Sequence, residues 1–282
     1  MAQASAATAT APDARAGRTV PPARRTAFES GSRRIVPWLL PAAIILGWQA
    51  AASTGWVSTR FMPAPLAVAR AGATAVQTGE LWTNLWVSFL RAAAGFLVGG
   101  GIGLGFGLAN GLSRLSERLT DTTLQMVRNV PHLSLIPLVI LWFGIGEEAK
   151  LFLVALGVFF PIYANTLHGI RSVDPQLVEM GRVYGMGRWE LFPRVVLPGA
   201  LPSIFVGVRY GLGIMWLTLI VAETISASSG LGYMAMQARE FMLVDVVVLA
   251  ILIYALLGKL ADALTRALER VCLAWNPAYR DA

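Results

Sequence analysis

Charge-free or nearly charge-free stretches divide the chain at residues 35–59, 92–113, 129–146, 151–170, 198–222 and 244–260. About 20 apolar residues suffice to cross the hydrocarbon as a helix, and only 129–146 and 244–260 are somewhat short. The first stretch carries its apolar body at 38–52. Within a bilayer, every backbone N–H and C=O must be satisfied inside its own segment. The pattern therefore predicts an all-α, polytopic membrane protein with six transmembrane helices in one unit, residues 35–282.

Composition agrees with that pattern. Of 282 residues 56% are hydrophobic and only 14% charged, with a mean hydropathy of +0.61. A water-soluble domain carries about a quarter charged residues, so there is too little polar surface here to cover a soluble globule. Residues 1–34 differ: they are rich in Ala, Thr, Pro and Arg with no apolar run, and are expected to form a disordered cytoplasmic tail. No small-residue cleavage site follows the run near Ile35, so a cleaved leader is not expected. Cys272 is the only cysteine and reads as apolar filler; an intrachain disulfide is excluded.

The net charge of +7 would suggest nucleic acid in a soluble protein, but here the basic residues fall between apolar spans. Seventeen of the 23 lysines and arginines lie in the N-terminal tail, in the second-to-third and fourth-to-fifth connections, and at the C-terminus. Cytoplasmic loops carry this excess. Both termini are expected inside, and the charge reads as orientation rather than as a nucleic-acid surface.

The second span repeats glycine every fourth residue: Gly95, Gly99, Gly103, Gly107 and Gly111. Small residues at this spacing form a groove into which another helix backbone can come close. Two readings stand, tight packing or a surface that slides in a transport cycle.

The fourth-to-fifth connection, 171–198, is long for a helical bundle and basic. Asp174 before Pro175 is a good helix start, an acceptor followed by a residue whose missing donor costs nothing. Gly185 and Gly187 permit a turn before a second short amphipathic piece containing Trp189 and Phe192. The expectation is a helix–turn–helix on the cytoplasmic face, serving as a docking surface.

Within this loop, Glu179, Gly185 six residues on, and Val195-x-Leu197-Pro198 after nine more resemble the "EAA" loop of permeases in binding-protein-dependent ABC importers. That loop reads Glu-Ala-Ala, three residues, Gly, nine residues, Ile-x-Leu-Pro. Met180-Gly181 replace the two alanines and Val195 the isoleucine, keeping small or apolar character. From about Pro37 to Tyr279 the chain is similar to the aliphatic sulfonate branch of these permeases, most clearly at 127–144, 216–225 and Trp275-Asn-Pro-Ala-Tyr279. Taurine and nitrate permeases share part of these motifs.

The resemblance implies a type I importer (MetI-like) fold in the bacterial inner membrane and a role in sulfur uptake. It implies a pore made by two copies of the chain, two cytoplasmic ATPase subunits docked at Glu179, Gly185, Leu197 and Pro198, and a binding protein outside. ATP and Mg would be bound by the ATPase partner. No Walker A pattern occurs here, since Gly258-Lys259 lacks the upstream Gly and the following Ser/Thr. The chain is thus expected to be a transport subunit and not an enzyme, without a cofactor of its own.

Four polar residues are candidates for the translocation pathway. Arg209, within the fifth span, is either an electropositive point for a passing anion or a side chain paired or snorkelling at the interface. Glu223, near the other end of that span, is expected to gate or to pair with a basic group. Asn129 and His132 flank Pro131 at the start of the third span, and His132 is either a donor in the pathway or a satisfied structural histidine. Two isolated histidines make no metal site. Glu147 and Glu148 read as a solvated hairpin tip. The rival class, an intramembrane enzyme, needs converging titratable groups, yet Arg209 and Glu223 are roughly 21 Å apart along a helix.

Overall fold

The computed structural model describes residues 27–276. The chain divides into two units, Met1–Trp48 and Gln49–Ala282. The helix α1 (Ala27–Ser53), most of whose residues belong to the first unit, begins inside the expected tail, so 27–34 are helical, while 1–26 lie outside the described residues. The strongly apolar part of α1 is Trp38–Ser53, shorter than the other spans.

The second unit is built on three helices. α3 (Glu80–Leu112) packs along α6 (Glu147–Arg171), and α6 packs along α9 (Leu197–Ser226). The glycine repeat explains the first pairing. At Gly99 an added Cβ would lie 2.1 Å from the Ala155 carbonyl oxygen, and at Gly103 it would lie 2.6 Å from that of Phe159. Gly95, Gly107 and Gly111 similarly face Val154, Thr166 and Ile170. Gly101 and Gly105, between them, meet nothing within 4 Å. The backbone and side chains of α6 lie directly against this glycine face.

Around this trio, α10 (Leu231–Glu240) and α11 (Val244–Cys272) lie against α9, and α2 (Pro65–Gln77) lies against α11. A buried cluster of Val154, Val158, Ile162, Met215, Leu219, Leu231, Met234 and Ala250 joins α6, α9, α10 and α11. The hydropathy pattern missed α2 and α10, because both are short and carry polar residues. Cys272 closes α11 exposed, not as packed filler.

Four described helices are long and apolar enough to cross a membrane: α3, α6, the run Arg188–Ile225 and α11. The expected span 129–146 is not one helix. α4 (Arg114–Arg128) ends there, a 3-10 turn covers His132–Leu135, and α5 (Ile136–Phe143) follows, with an 81° bend across the pair. Pro131 disfavours helical backbone at Val130, and Gly144 at φ +74° ends α5. Eight residues of α5 rise only about 12 Å, under half of the hydrocarbon thickness. Counting the bent pair as one span gives five, so six continuous spans are not reproduced among the described residues.

Candidate functional site

The long connection folds as its residues suggest. The Asp174 carboxylate accepts the Gln176 N–H at 2.8 Å and starts α7 (Pro175–Val183), with Pro175 at its first turn. The helix stops in a Schellman motif: Gly185 N–H donates to Arg182 O at 2.9 Å and Met186 N–H to Gly181 O at 3.0 Å. This closure needs a left-handed residue after the helix, and Gly185 supplies it at φ +80°. Gly181 is buried, and a Cβ there would lie 2.8 Å from Leu191 Cδ2. The small residue lets α7 rest on α8 (Arg188–Leu191).

Beyond α8 the chain does not break. A π-helical turn, Phe192–Val196, carries it into α9 with Pro198 in its first turn. Leu197 packs beside Ile170, Ala200 and Ile204, so it anchors the loop to the bundle. What the loop presents outward is the end of α7, the turn and α8: Val183, Tyr184 and Trp189 are 82%, 77% and 92% exposed. Glu179, also exposed, lines a concavity of about 740 Å³ with Val173, Pro175, Val178, Arg182 and Val183. The turn thus exposes large apolar and aromatic side chains beside Glu179 and Arg182.

At the opposite end of α6 lies a buried ion network. Arg91, one-third of the way along α3, donates from Nη1 to Glu223 Oε1 at 2.8 Å. Its Nε and Nη2 donate to the two oxygens of Glu147 at 2.5 and 2.6 Å, and Lys150 Nζ donates to Glu147 Oε1 at 3.0 Å. Glu223 also accepts from Ser88 Oγ at 2.8 Å, Gly232 N–H at 2.9 Å and Tyr254 OH at 3.0 Å. The start of α10 is stitched to the same cluster. Arg91 Nη1 donates to Ser229 O, Gly230 N–H to Asn84 Oδ1, and Leu231 N–H to Ser88 Oγ. Buried charges persist only when paired and hydrogen-bonded in this way.

The family model for the binding-protein-dependent transport system inner membrane component matches residues 101–271. A putative aliphatic sulfonates transport permease protein of Escherichia coli is 64% identical over 87% of this chain and 94% of its own length. Its counterpart in Bacillus subtilis is 44% identical over 86% and 87%. A taurine transport system permease protein of E. coli is 35% identical over 83% and 87%. Among solved structures, an amino acid ABC transporter aligns with a TM-score of 0.58 at 19% identity, over 70% of this chain and 96% of its own; that likeness concerns the fold. The chain belongs to the family of binding-protein-dependent inner membrane permeases.

In this permease the four expected pathway residues do not converge. Arg209 is held by α11: Nη2 donates to Glu269 Oε2, and Nε lies 3.6 Å from Asp262 Oδ1. The Arg209 guanidinium is thus ion-paired to two carboxylates of α11. Asn129 caps the end of α4 and is exposed at the elbow. His132 Nε2 is 3.0 Å from Thr218 Oγ1 on α9. Glu223 does pair with a basic group, Arg91. Glu147 corrects the hairpin-tip reading, since it is ion-paired to two buried cations; Glu148 remains exposed.

Sequence reasoning missed Arg91 and Lys150 as members of a site. Each stands at the edge of an apolar run, where a charge reads as a boundary. The one available signal was that α3 stays helical and rich in apolar residues for eleven positions before Arg91, which places the charge inside the helix.

Proposed function

We propose that this permease imports aliphatic sulfonates. It would do so as a homodimeric pore with two cytoplasmic ATPase subunits docked on α7 and the Gly185 turn, and with an external binding protein delivering the substrate. The observation that carries the docking assignment is the Schellman turn at Gly185, which presents Val183, Tyr184 and Trp189 to solvent beside Glu179. The 64% identity to the E. coli sulfonates permease supports the substrate class. Both termini are taken as cytoplasmic, following the basic residues; the coupling loop then lies inside and the Arg91 network outside.

ATP-driven closure of the ATPases would pull on α7. Its movement passes into the bundle at Leu197, whose packing against Ile170 and Ile204 ties the loop to both α6 and α9. The helices then rock between inward- and outward-open states around a central pathway. A taurine-directed reading is the second candidate, favoured by the 35% identity to the E. coli taurine permease. The two separate in one experiment: growth and uptake in cells lacking their own sulfonate and taurine importers, complemented by the permease with its ATPase and binding protein. Uptake of ethanesulfonate exceeding that of taurine is expected; the reverse preference, or uptake of neither, overturns the assignment.

A further inference from the structure

The ion network has an unequal distribution of exposure. The side chains of Arg91, Lys150 and Glu223 are 6%, 3% and 0% exposed, whereas that of Glu147 is 54% exposed. The three enclosed groups sum to one positive charge, and the carboxylate that neutralises it sits on the exposed side of the isolated chain. Among the described residues, Lys150 pairs with Glu147 at 3.0 Å. Glu147 thus covers two buried cations from outside, while Glu223 fixes Arg91 from within.

The donors around this carboxylate outnumber its oxygens. Arg91 offers Nε and Nη2 as a planar fork, and Lys150 offers Nζ; Glu147 Oε1 accepts from both Nη2 and Nζ. A sulfonate carries the same single charge and three oxygens. It would give each of the three donors its own acceptor, two for the guanidinium fork and one for the ammonium. Glu147 is the first residue of α6, and the residue two before it, Ile145, is 77% exposed on the loop that follows Gly144. The carboxylate side of the cluster is thus its exposed side in the isolated chain.

We propose that Arg91 and Lys150 form an oxyanion-binding site whose resident occupant is the Glu147 carboxylate, and that the headgroup of an incoming sulfonate exchanges with it. The site lies at the start of α6, about 36 Å along that helix from Arg171 and the coupling loop. The identity of the natural anion rests on the sulfonate reading; the existence of the site does not.

The test uses the purified complex of permease and ATPase in lipid nanodiscs, with methanesulfonate as probe and chloride at equal ionic strength as control. Anything that binds only the folded state raises the unfolding temperature with its concentration. Glu147→Gln removes the internal anion, so methanesulfonate is expected to raise Tm at concentrations at least tenfold lower than in the wild type. Adding Lys150→Met to that variant is expected to abolish the gain. Glu147→Asp, whose shorter side chain withdraws from the fork, serves if Glu147→Gln fails to assemble, with the same shift expected in smaller degree. Stabilisation by chloride equal to that by methanesulfonate, no shift in either variant, or an undiminished shift in the double variant would each overturn the proposal. Uptake of ethanesulfonate by the wild type is scored separately. Uptake without the Tm effect removes the site and leaves the importer assignment, whereas the Tm effect without uptake does the opposite.

Discussion

Gly99 of α3 and Ala155 of α6 approach so closely that a methyl group on the glycine would fall 2.1 Å from the Ala155 carbonyl oxygen. The obstructing atom belongs to backbone, which cannot rotate away. Overpacking of a rigid contact costs about 1–3 kcal/mol, occasionally more. Gly99→Val and Gly103→Leu are therefore expected to separate α3 from α6 and to reduce recovery of monodisperse protein in detergent at least severalfold. Gly101→Ala, on the same helix but with open space around it, is expected to leave recovery unchanged. Equal behaviour of the two faces would contradict the packing.

The Arg91–Glu223 pair yields a second expectation. Removing one partner of a buried ion pair strands the other and costs about 3–5 kcal/mol, whereas replacing both with apolar groups is far milder. Arg91→Met alone, which leaves the enclosed Glu223 carboxylate without the cation it pairs with, should lower the Tm of the complex more than Arg91→Met combined with Glu223→Leu does. A double-mutant cycle measures the coupling. Additive effects would mean that the two side chains do not share their charge.

Arg209 is expected to be structural. It sits between Asp262 and Glu269 of α11, and Glu269 is itself 6% exposed. Arg209→Gln should reduce the amount of folded permease while uptake per folded molecule stays near wild type. Arg209→Lys keeps a charge without the planar fork and should recover part of the loss. Normal folding with lost uptake would return Arg209 to the translocation pathway.

These residues also show what the sequence could and could not reveal. The glycine repeat was legible because its spacing of four is the geometry of a helix face, although nothing in it named α6 as the partner. The Asp174-Pro175 start and the Gly185 turn were legible because capping and left-handed backbone are local demands. The Arg91 network was not. Its carboxylates come from 56 and 132 residues away in the chain, and no local pattern links them. The broken span was half-visible: Pro131 stood in the sequence, but the apolar content of 129–146 outweighed one proline until the bend was seen. Arg209 was legible as a charge inside an apolar span, yet its partners Asp262 and Glu269 lie beyond residue 260, where the apolar stretch of α11 ends in the sequence.

The turn at Gly185, proposed as the ATPase contact, carries the last prediction. Gly185 has φ +80°, and the space its side chain would fill is empty in the isolated chain. A substitution there costs first the left-handed backbone, about 1–2 kcal/mol for an ordinary residue and most for a β-branched one. Gly185→Val is therefore expected to unmake the Schellman closure, displace Val183 and Tyr184, and abolish both ATPase co-purification and uptake, while the permease still reaches the membrane. Asparagine tolerates left-handed backbone, so Gly185→Asn should keep most of the ATPase binding if backbone shape is what the partner reads. Glu179→Ala leaves the turn intact and removes only an exposed carboxylate beside the concavity; an interfacial hydrogen bond to a charged group contributes about 1.5–3 kcal/mol, so a weaker, partial loss of uptake is expected. The measurements are co-purification of the ATPase with each variant and substrate uptake in cells. Full ATPase binding and full uptake by Gly185→Val would remove α7 and its turn from the coupling surface, and with them the main structural support for this mode of energy transfer.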